Sequence, residues 1–243
     1  MKAQPTKESE SLDIREFGAP TAGKPQVSNR RLFIQLHVFC GCGNPNSLVP
    51  ALADLESVLY QDFNHPTGVG VVVVAEDPAY LTQVVRKAFA QESFSQLTYR
   101  PEMTMIGRTY ASGREMELED WLLKKPRRNL MNPDFPWSVW YPLRRKPSFY
   151  LLDRRQSGPI LAEHGRLGQS YASRNFAADI RLASFGLDTN DNEFVIGLVG
   201  TDLHPLSRLI QDMRSTQHTA EYIESLGPFF VGHVFWQSGS SEI

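Results

Sequence analysis

The chain has 243 residues, 41% of them hydrophobic, and a formal net charge of -2 at pH 7. That length allows one large or two small domains, and the apolar fraction suffices for a real core. The near-neutral charge argues against a nucleic-acid or polyanion partner. No apolar run reaches the ~18 residues of a membrane span. The opening MKAQPTKESESLD lacks the apolar core of a secretory signal, so a cytoplasmic protein is expected.

Residues 1–29, rich in Pro, Ser, Gly and Lys, read as a mobile arm. RLFIQLHVF, from Arg31, alternates and is rich in strand formers, which predicts a strand. CGCGNPN follows as a loop. Cys40 and Cys42 are the only cysteines and lack zinc-type companions. They read as reduced, partly buried thiols, with a redox pair as the alternative. Residues 47–60 read as a helix with Pro50 in its first turn and Ser47 as its cap. Residues 69–76 form a buried strand. Residues 78–90 form a helix opened by Pro78 and capped by Asp77. Residues 99–110 form a further strand.

Beyond this point the chain repeats itself. Asp77 meets Asp202, Leu81 meets Leu206, Val85 meets Ile210 and Gly107 meets Gly232, all at one constant offset. Apolar residues match apolar residues through strand, helix and strand, which implies a duplicated unit. Each copy reads as β–α–β–β–α–β, a ferredoxin-like α+β unit. Two such units can join their sheets into a β-barrel with helices outside. The expected organisation is an arm (1–29), a first repeat without cofactor (30–110), a connector (111–147) and a second repeat carrying the cofactor (148–240). The connector holds Lys124, Lys125, Arg127, Arg128, Arg144, Arg145, Lys146, Trp137, Trp140 and Tyr141. It is too long and too aromatic for an idle linker.

The most informative stretch is 160–188. Ile160, Leu161, Leu167 and Tyr171 recur near a helical period, and His164 lies on the same stripe. Gly165 and Gly168 lie beside it, and glycine in a helix costs about 1 kcal/mol against alanine, so something bulky is expected to pack close. The spacing by itself favours a hydrogen-bonded core histidine, with an imidazole presented to a heme iron as the other reading. A tetrapyrrole also needs an apolar slot and cations for its carboxylates. Phe149, Leu152, Leu167, Leu182 and Leu198 are candidates for the slot. The basic connector and Arg214 are candidates for the carboxylates.

His164, Gly165, Gly168 and Tyr171, followed by Gly186, Leu187 and Asp188, resemble the chlorite dismutase superfamily, closest in motif to its coproheme decarboxylase branch. The resemblance covers residues from about 30 to 240 and implies a tandem ferredoxin-like barrel, usually assembled as a ring, here expected to be a homo-oligomeric ring of five. It implies heme b or iron-coproporphyrin as cofactor, with His164 as the iron ligand. It implies Tyr141, in YPLRR, as a radical site, and a peroxide-dependent oxidative decarboxylation of porphyrin propionates. Porphyrin and hydrogen peroxide are then the small-molecule partners. Arg127, Arg145, Arg214 and Thr219 fall where the superfamily binds propionates, with Arg145 replacing a lysine.

By the resemblance the distal position falls on Asp179, where the superfamily carries arginine or glutamine, and Arg181, two residues on and on the same strand face, is the alternative distal residue if the register slips. An anionic Asp179 can act as a base toward peroxide but repels chlorite, so chlorite dismutation is disfavoured. The alternatives are a heme carrier or sensor with little turnover, and a heme-free oligomeric scaffold.

Overall fold

Two β-α-β-β-α-β units follow one another in the computed structural model, which describes residues 12–239. Residues 1–11 of the expected arm lie outside the described residues. The rest of that arm is a hairpin, β1 (Glu16–Thr21) and β2 (Lys24–Ser28). Polar side chains fasten it rather than apolar burial. Glu16 receives the Arg108 guanidinium at 2.7 Å and the Ala111 amide at 2.9 Å. Gln26 accepts from the Leu118 amide and donates to the Met116 carbonyl.

The first unit runs β3 (Phe33–Cys40), α1 (Val49–Leu52), β4 (Ser57–Asp62), β5 (Val69–Ala75), α2 (Pro78–Tyr80) and α3 (Arg86–Phe89). A π-helical stretch, Leu81–Val85, links the last two helices. α4 (Glu92–Ser95), β6 (Thr98–Tyr99) and β7 (Met105–Arg108) complete it. The helix expected over 47–60 ends after one turn at Leu52, and Ser57–Asp62 is a strand instead. Val58, Leu59 and Tyr60 favour a pleated, buried surface. All three are at most 1% exposed. The strand expected over 99–110 is split by a 3-10 turn at Pro101–Met103.

The connector is no linker. It contains a π-helical turn, Asp120–Lys124, then α5 (Lys125–Leu130) and β8 (Trp137–Arg145). The second unit therefore starts with β8 inside the expected connector. Trp140 faces one cluster of buried apolar side chains and Val139 and Tyr141 another, the alternation of a strand buried on both faces. Pro142 stands where β11 (Ile223–Leu226) gives way to β12 (Phe230–Gln237) along β8, and its carbonyl accepts from the Gly227 amide. The remaining elements are α6 (Arg154–Ala172), β9 (Ala178–Ala183), β10 (Phe194–Gly200), α7 (Leu203–Met213) and α8 (Gln217–Tyr222).

Within the first unit the strands lie in the order β7-β3-β5-β4, and within the second β12-β8-β10-β9. Both are the same ferredoxin-like order. Pairing of β4 with β12 and of β7 with β9 joins the two sheets, so eight antiparallel strands form a closed, barrel-like ring. Ile34, Leu36, Val72, Val74, Trp140 and Phe230 are among the side chains that fill its interior. The repeat offset aligns β5 with β10 and β7 with β12, residue for residue at their starts. It fails earlier in the units, because α6 is much longer than α1. The matched glycines lie at the seams of the ring. A Cβ on Gly107 would stand 2.6 Å from the Leu182 Cβ, and one on Gly232 would stand 2.7 Å from the Tyr60 Cβ.

The matched aspartates cap matched helices. Asp77 accepts from the Ala79 amide at 2.9 Å, and Asp202 from the His204 amide at 3.0 Å. Asp202→Ala should cost about 1 kcal/mol in a urea denaturation. A change within a few tenths of the wild type would show that this cap contributes nothing.

Among the described residues no helix is long and apolar enough to cross a membrane. Cys40 and Cys42 are free thiols, half-buried and buried respectively.

Candidate functional site

The outer face of the second unit forms a floor beneath α6 and α7. Register brings Arg181, Ile196 and Tyr141 side by side across β9, β10 and β8, with Asp179, Leu198 and Val139 in the next row on that face. Val139, Tyr141, Leu198, Leu206 and Leu209 are buried there, while Leu143, Ile196, Leu167, Met213 and Phe229 are only half-buried. The helix above is lightly seated, with Ile160 as the sole fully buried residue of α6.

α6 begins at a capping box. Asp153 accepts from the Arg155 and Gln156 amides at 2.7 and 2.9 Å, and the Gln156 side chain accepts from the Asp153 amide at 3.0 Å. Pro159, lacking an N–H, leaves the Arg155 carbonyl without its helical donor. His164 follows, half-buried, with Nδ1 3.3 Å from the Thr216 hydroxyl oxygen. Its ring meets that of His218 edge-on at 4.9 Å. Burial, then the positive charges of Arg181 and Arg145, lower its pKa to about 4, so the imidazole is neutral at pH 7. Of the two flanking glycines only Gly168 is close to a neighbour. A Cβ there would lie 3.4 Å from Met213 Cε, whereas one on Gly165 would meet nothing.

Asp179 is not a free carboxylate. One oxygen accepts from Lys125 Nζ at 3.2 Å, the other from Arg181 Nε. Both cations lie over the Trp121 ring, at 4.3 Å for Lys125 and 5.3 Å for Arg181. Burial opposes ionisation of Asp179, but Arg181 and then Lys125 outweigh it and hold its carboxyl below the ordinary range. This corrects two expectations. A carboxylate held this way is a weak base, and one matched by two cations does not repel an anion. A cavity of about 10 Å³ adjoins the cluster, lined by Thr109, Trp121, Lys125 and Arg181 among others.

Comparison with known proteins places this architecture. The family model described as chlorite dismutase matches residues 60–235, over two thirds of the chain. The chain belongs to the chlorite dismutase family. A heme-binding protein from Thermus thermophilus superposes with a TM-score of 0.65 at 15% identity, covering 84% of this chain and 91% of that one. Chlorite dismutase from Candidatus Nitrospira defluvii superposes with a TM-score of 0.64 at 14% identity, over 85% of this chain and 92% of that one, as a variant in complex with cyanide. The same enzyme in complex with imidazole gives equal figures for TM-score and identity.

Within this family frame, most of the expected site residues converge. Arg145, at the end of β8, donates from Nε to His218 Nε2 at 3.0 Å. Its guanidinium lies 4.6 Å from the ring centres of both Phe149 and Phe194. Phe149 in turn meets His218 edge-on at 5.3 Å. Tyr141 is buried, stacked on Phe229 at 4.9 Å. Burial, then the Asp179 charge, raise its phenol pKa, against a smaller opposing effect of Arg214. Thr219 lies 3.2 Å from the Thr216 hydroxyl, and Leu167 packs on the floor from α6.

Two expected residues lie elsewhere. Arg127 is forked onto Glu56 at 2.6 and 3.1 Å, and also approaches Glu76, so its guanidinium is committed to the first unit. Leu182 points into the ring interior, because it alternates with Arg181 along β9. Sequence reasoning missed Thr216, His218 and Trp121, and named Lys125 only within the basic cluster of the connector. Thr216 and His218 sit inside the segment searched for Arg214 and Thr219, and a Thr-initiated cap before QHTAEY was the available signal.

Proposed function

We propose that this protein binds heme or a heme-like iron porphyrin between α6 and the outer face of the second unit, with His164 as the axial ligand. One observation carries the reading. His164 is neutral, hydrogen-bonded through Nδ1, and its Nε2 is left for a metal, above an apolar floor bordered by Arg145 and Arg181. Neutral imidazole is a common ligand for iron. The buried, unpartnered Nδ1 of His218 and the half-buried floor residues fit a group larger than a water molecule. Family membership and the structural likeness to a heme-binding protein support the same reading.

Arg145 and Arg214 would hold the porphyrin carboxylates, Arg145 with its plane fixed between two phenyl rings. Bound heme supplies peroxide and one-electron chemistry. In the first reading the protein is a peroxide-dependent oxidoreductase that decarboxylates the propionates of iron-coproporphyrin. Tyr141 keeps its proton at the phenol oxygen until an electron leaves, because its raised pKa opposes prior ionisation. A ring of five copies belongs to this reading, and light scattering tests it. The second reading, a heme carrier or sensor with little turnover, is favoured by the pairing of Asp179 with Arg181 and Lys125, which weakens that carboxylate as a base.

An absorption titration with ferric coproheme and with heme b, followed by peroxide, separates the readings. Loss of two carboxyl groups in the porphyrin mass supports the oxidoreductase, and binding without mass loss supports the carrier. Under the first reading Tyr141→Phe should slow decarboxylation at least on the order of 100-fold while leaving porphyrin affinity within about threefold. Full activity in that variant would remove the radical role.

A further inference from the structure

The hydrogen bonds around His164 and His218 bear on which nitrogen of each carries a proton. The Thr216 hydroxyl has one proton and three acceptors within reach, the Met213 carbonyl at 2.8 Å, the Thr219 hydroxyl at 3.2 Å and His164 Nδ1 at 3.3 Å, and the carbonyl is the nearest. The Thr216 hydroxyl oxygen accepts from the Thr219 amide at 3.4 Å. With its proton on that carbonyl the oxygen accepts from His164, which makes Nδ1 the protonated nitrogen and puts the lone pair on Nε2. Arg145 Nε can only donate, so His218 Nε2 accepts and the His218 proton sits on its buried Nδ1. The neighbouring carboxylate, Glu163, accepts from the Gln217 amide at 3.1 Å. The partner of His164 is thus a hydroxyl, and beside it stand the neutral imidazole of His218, edge-on to His164 at 4.9 Å, and then the cationic Arg145.

We propose that Thr216 and His218 form an uncharged layer behind the axial ligand that biases a bound iron toward its ferrous state and toward neutral diatomic gases as ligands. The proposal rests on heme binding at His164 and sharpens the carrier or sensor reading. A carboxylate accepting from the far nitrogen of a ligating imidazole raises its basicity and so favours the higher oxidation state. A hydroxyl already donating to a carbonyl gives far less. Ferric iron also carries one more positive charge than ferrous iron, and the nearby guanidinium of Arg145 disfavours it.

Thr216→Asp tests this without removing the helix cap, since aspartate is as good a cap as threonine. Thr216→Ser is the control that keeps the hydroxyl. In the cofactor-free wild type, the imidazole nitrogen shifts of His164 should report a protonated Nδ1. A protonated Nε2 overturns the proposal with no cofactor present. With heme b bound, Thr216→Asp should raise the ferric-to-ferrous ratio at a fixed ambient potential at least tenfold, a fall of about 59 mV in the reduction potential of a one-electron couple, and weaken carbon monoxide binding to the dithionite-reduced protein. Thr216→Ser should match the wild type in both. Equal potentials in the aspartate and serine variants overturn the proposal while the heme reading stands. A wild type that shows the expected tautomer yet gives no Soret band with heme b removes the heme reading, and the iron-tuning role with it.

Discussion

His164→Ala should abolish tight binding of heme b and of coproheme, with a loss of affinity at least on the order of 100-fold and no Soret band in the purified variant. The expectation follows from where the residue sits. His164 is only half-buried on a helix with one fully buried residue, so its loss leaves little cavity behind. Its one side-chain hydrogen bond among the described residues, to Thr216 at 3.3 Å, is long. The folded protein should therefore lose no more than about 1 kcal/mol of stability without cofactor. This separation matters, because a core histidine would behave the other way round. Retained pigment with lowered stability would make His164 a structural residue and remove both heme readings. Exogenous imidazole should restore part of the binding in the variant if the defect is only the missing ligand.

The duplicated unit was legible because helix caps and seam glycines repeat with one offset, and both are fixed by backbone geometry rather than by composition. Asp77 and Asp202 cap equivalent helices, and Gly107 and Gly232 lie where strands from the two units cross closely. The start of the second unit was not legible, since β8 combines tryptophans, a proline and a pair of arginines at its end. Such a strand looks like a surface segment until both of its faces are seen to be covered. His164, Tyr141, Arg145 and Phe149 were readable from the sequence and the family resemblance, and the structure gathers them. Arg127 was misplaced because spacing along the chain says nothing of the acids, Glu56 and Glu76, that claim its guanidinium. The role of Asp179 was misjudged for a similar reason. Its charge is decided by Arg181, two residues away on the strand, and by Lys125, which lies 54 residues away in sequence.

Stability of the cofactor-free protein should fall steeply as pH drops from about 6.5 toward 4, by several kcal/mol. Three histidines set the sign. Burial lowers the pKa of His37 from 6.5 to about 4, and it lowers that of His218, helped by Arg145, to about 3. His164 is lowered to about 4 by burial and then by Arg181 and Arg145. In the unfolded chain each titrates near 6.5, so between the two values the unfolded state binds more protons than the folded one. Stability is complete above about pH 6.5 and is lost as pH falls through this window. His37 is the cleanest case. Its ring is held between Phe89, at 4.8 Å, and Tyr99, whose hydroxyl lies 3.1 Å from Nδ1, while Nε2 is buried without a partner. At about 1.36 kcal/mol per unit, its shift alone corresponds to roughly 3 kcal/mol. That figure is a large share of the ~5–15 kcal/mol that holds a typical domain together. Urea denaturation at pH 7.5, 5.5 and 4.5 measures it. His37→Phe, which keeps the ring and removes the titrating group, should flatten the profile by about that amount. A wild-type stability that stays level from pH 7 to 5 would show that these histidines keep an ordinary pKa in the folded protein and would overturn the prediction.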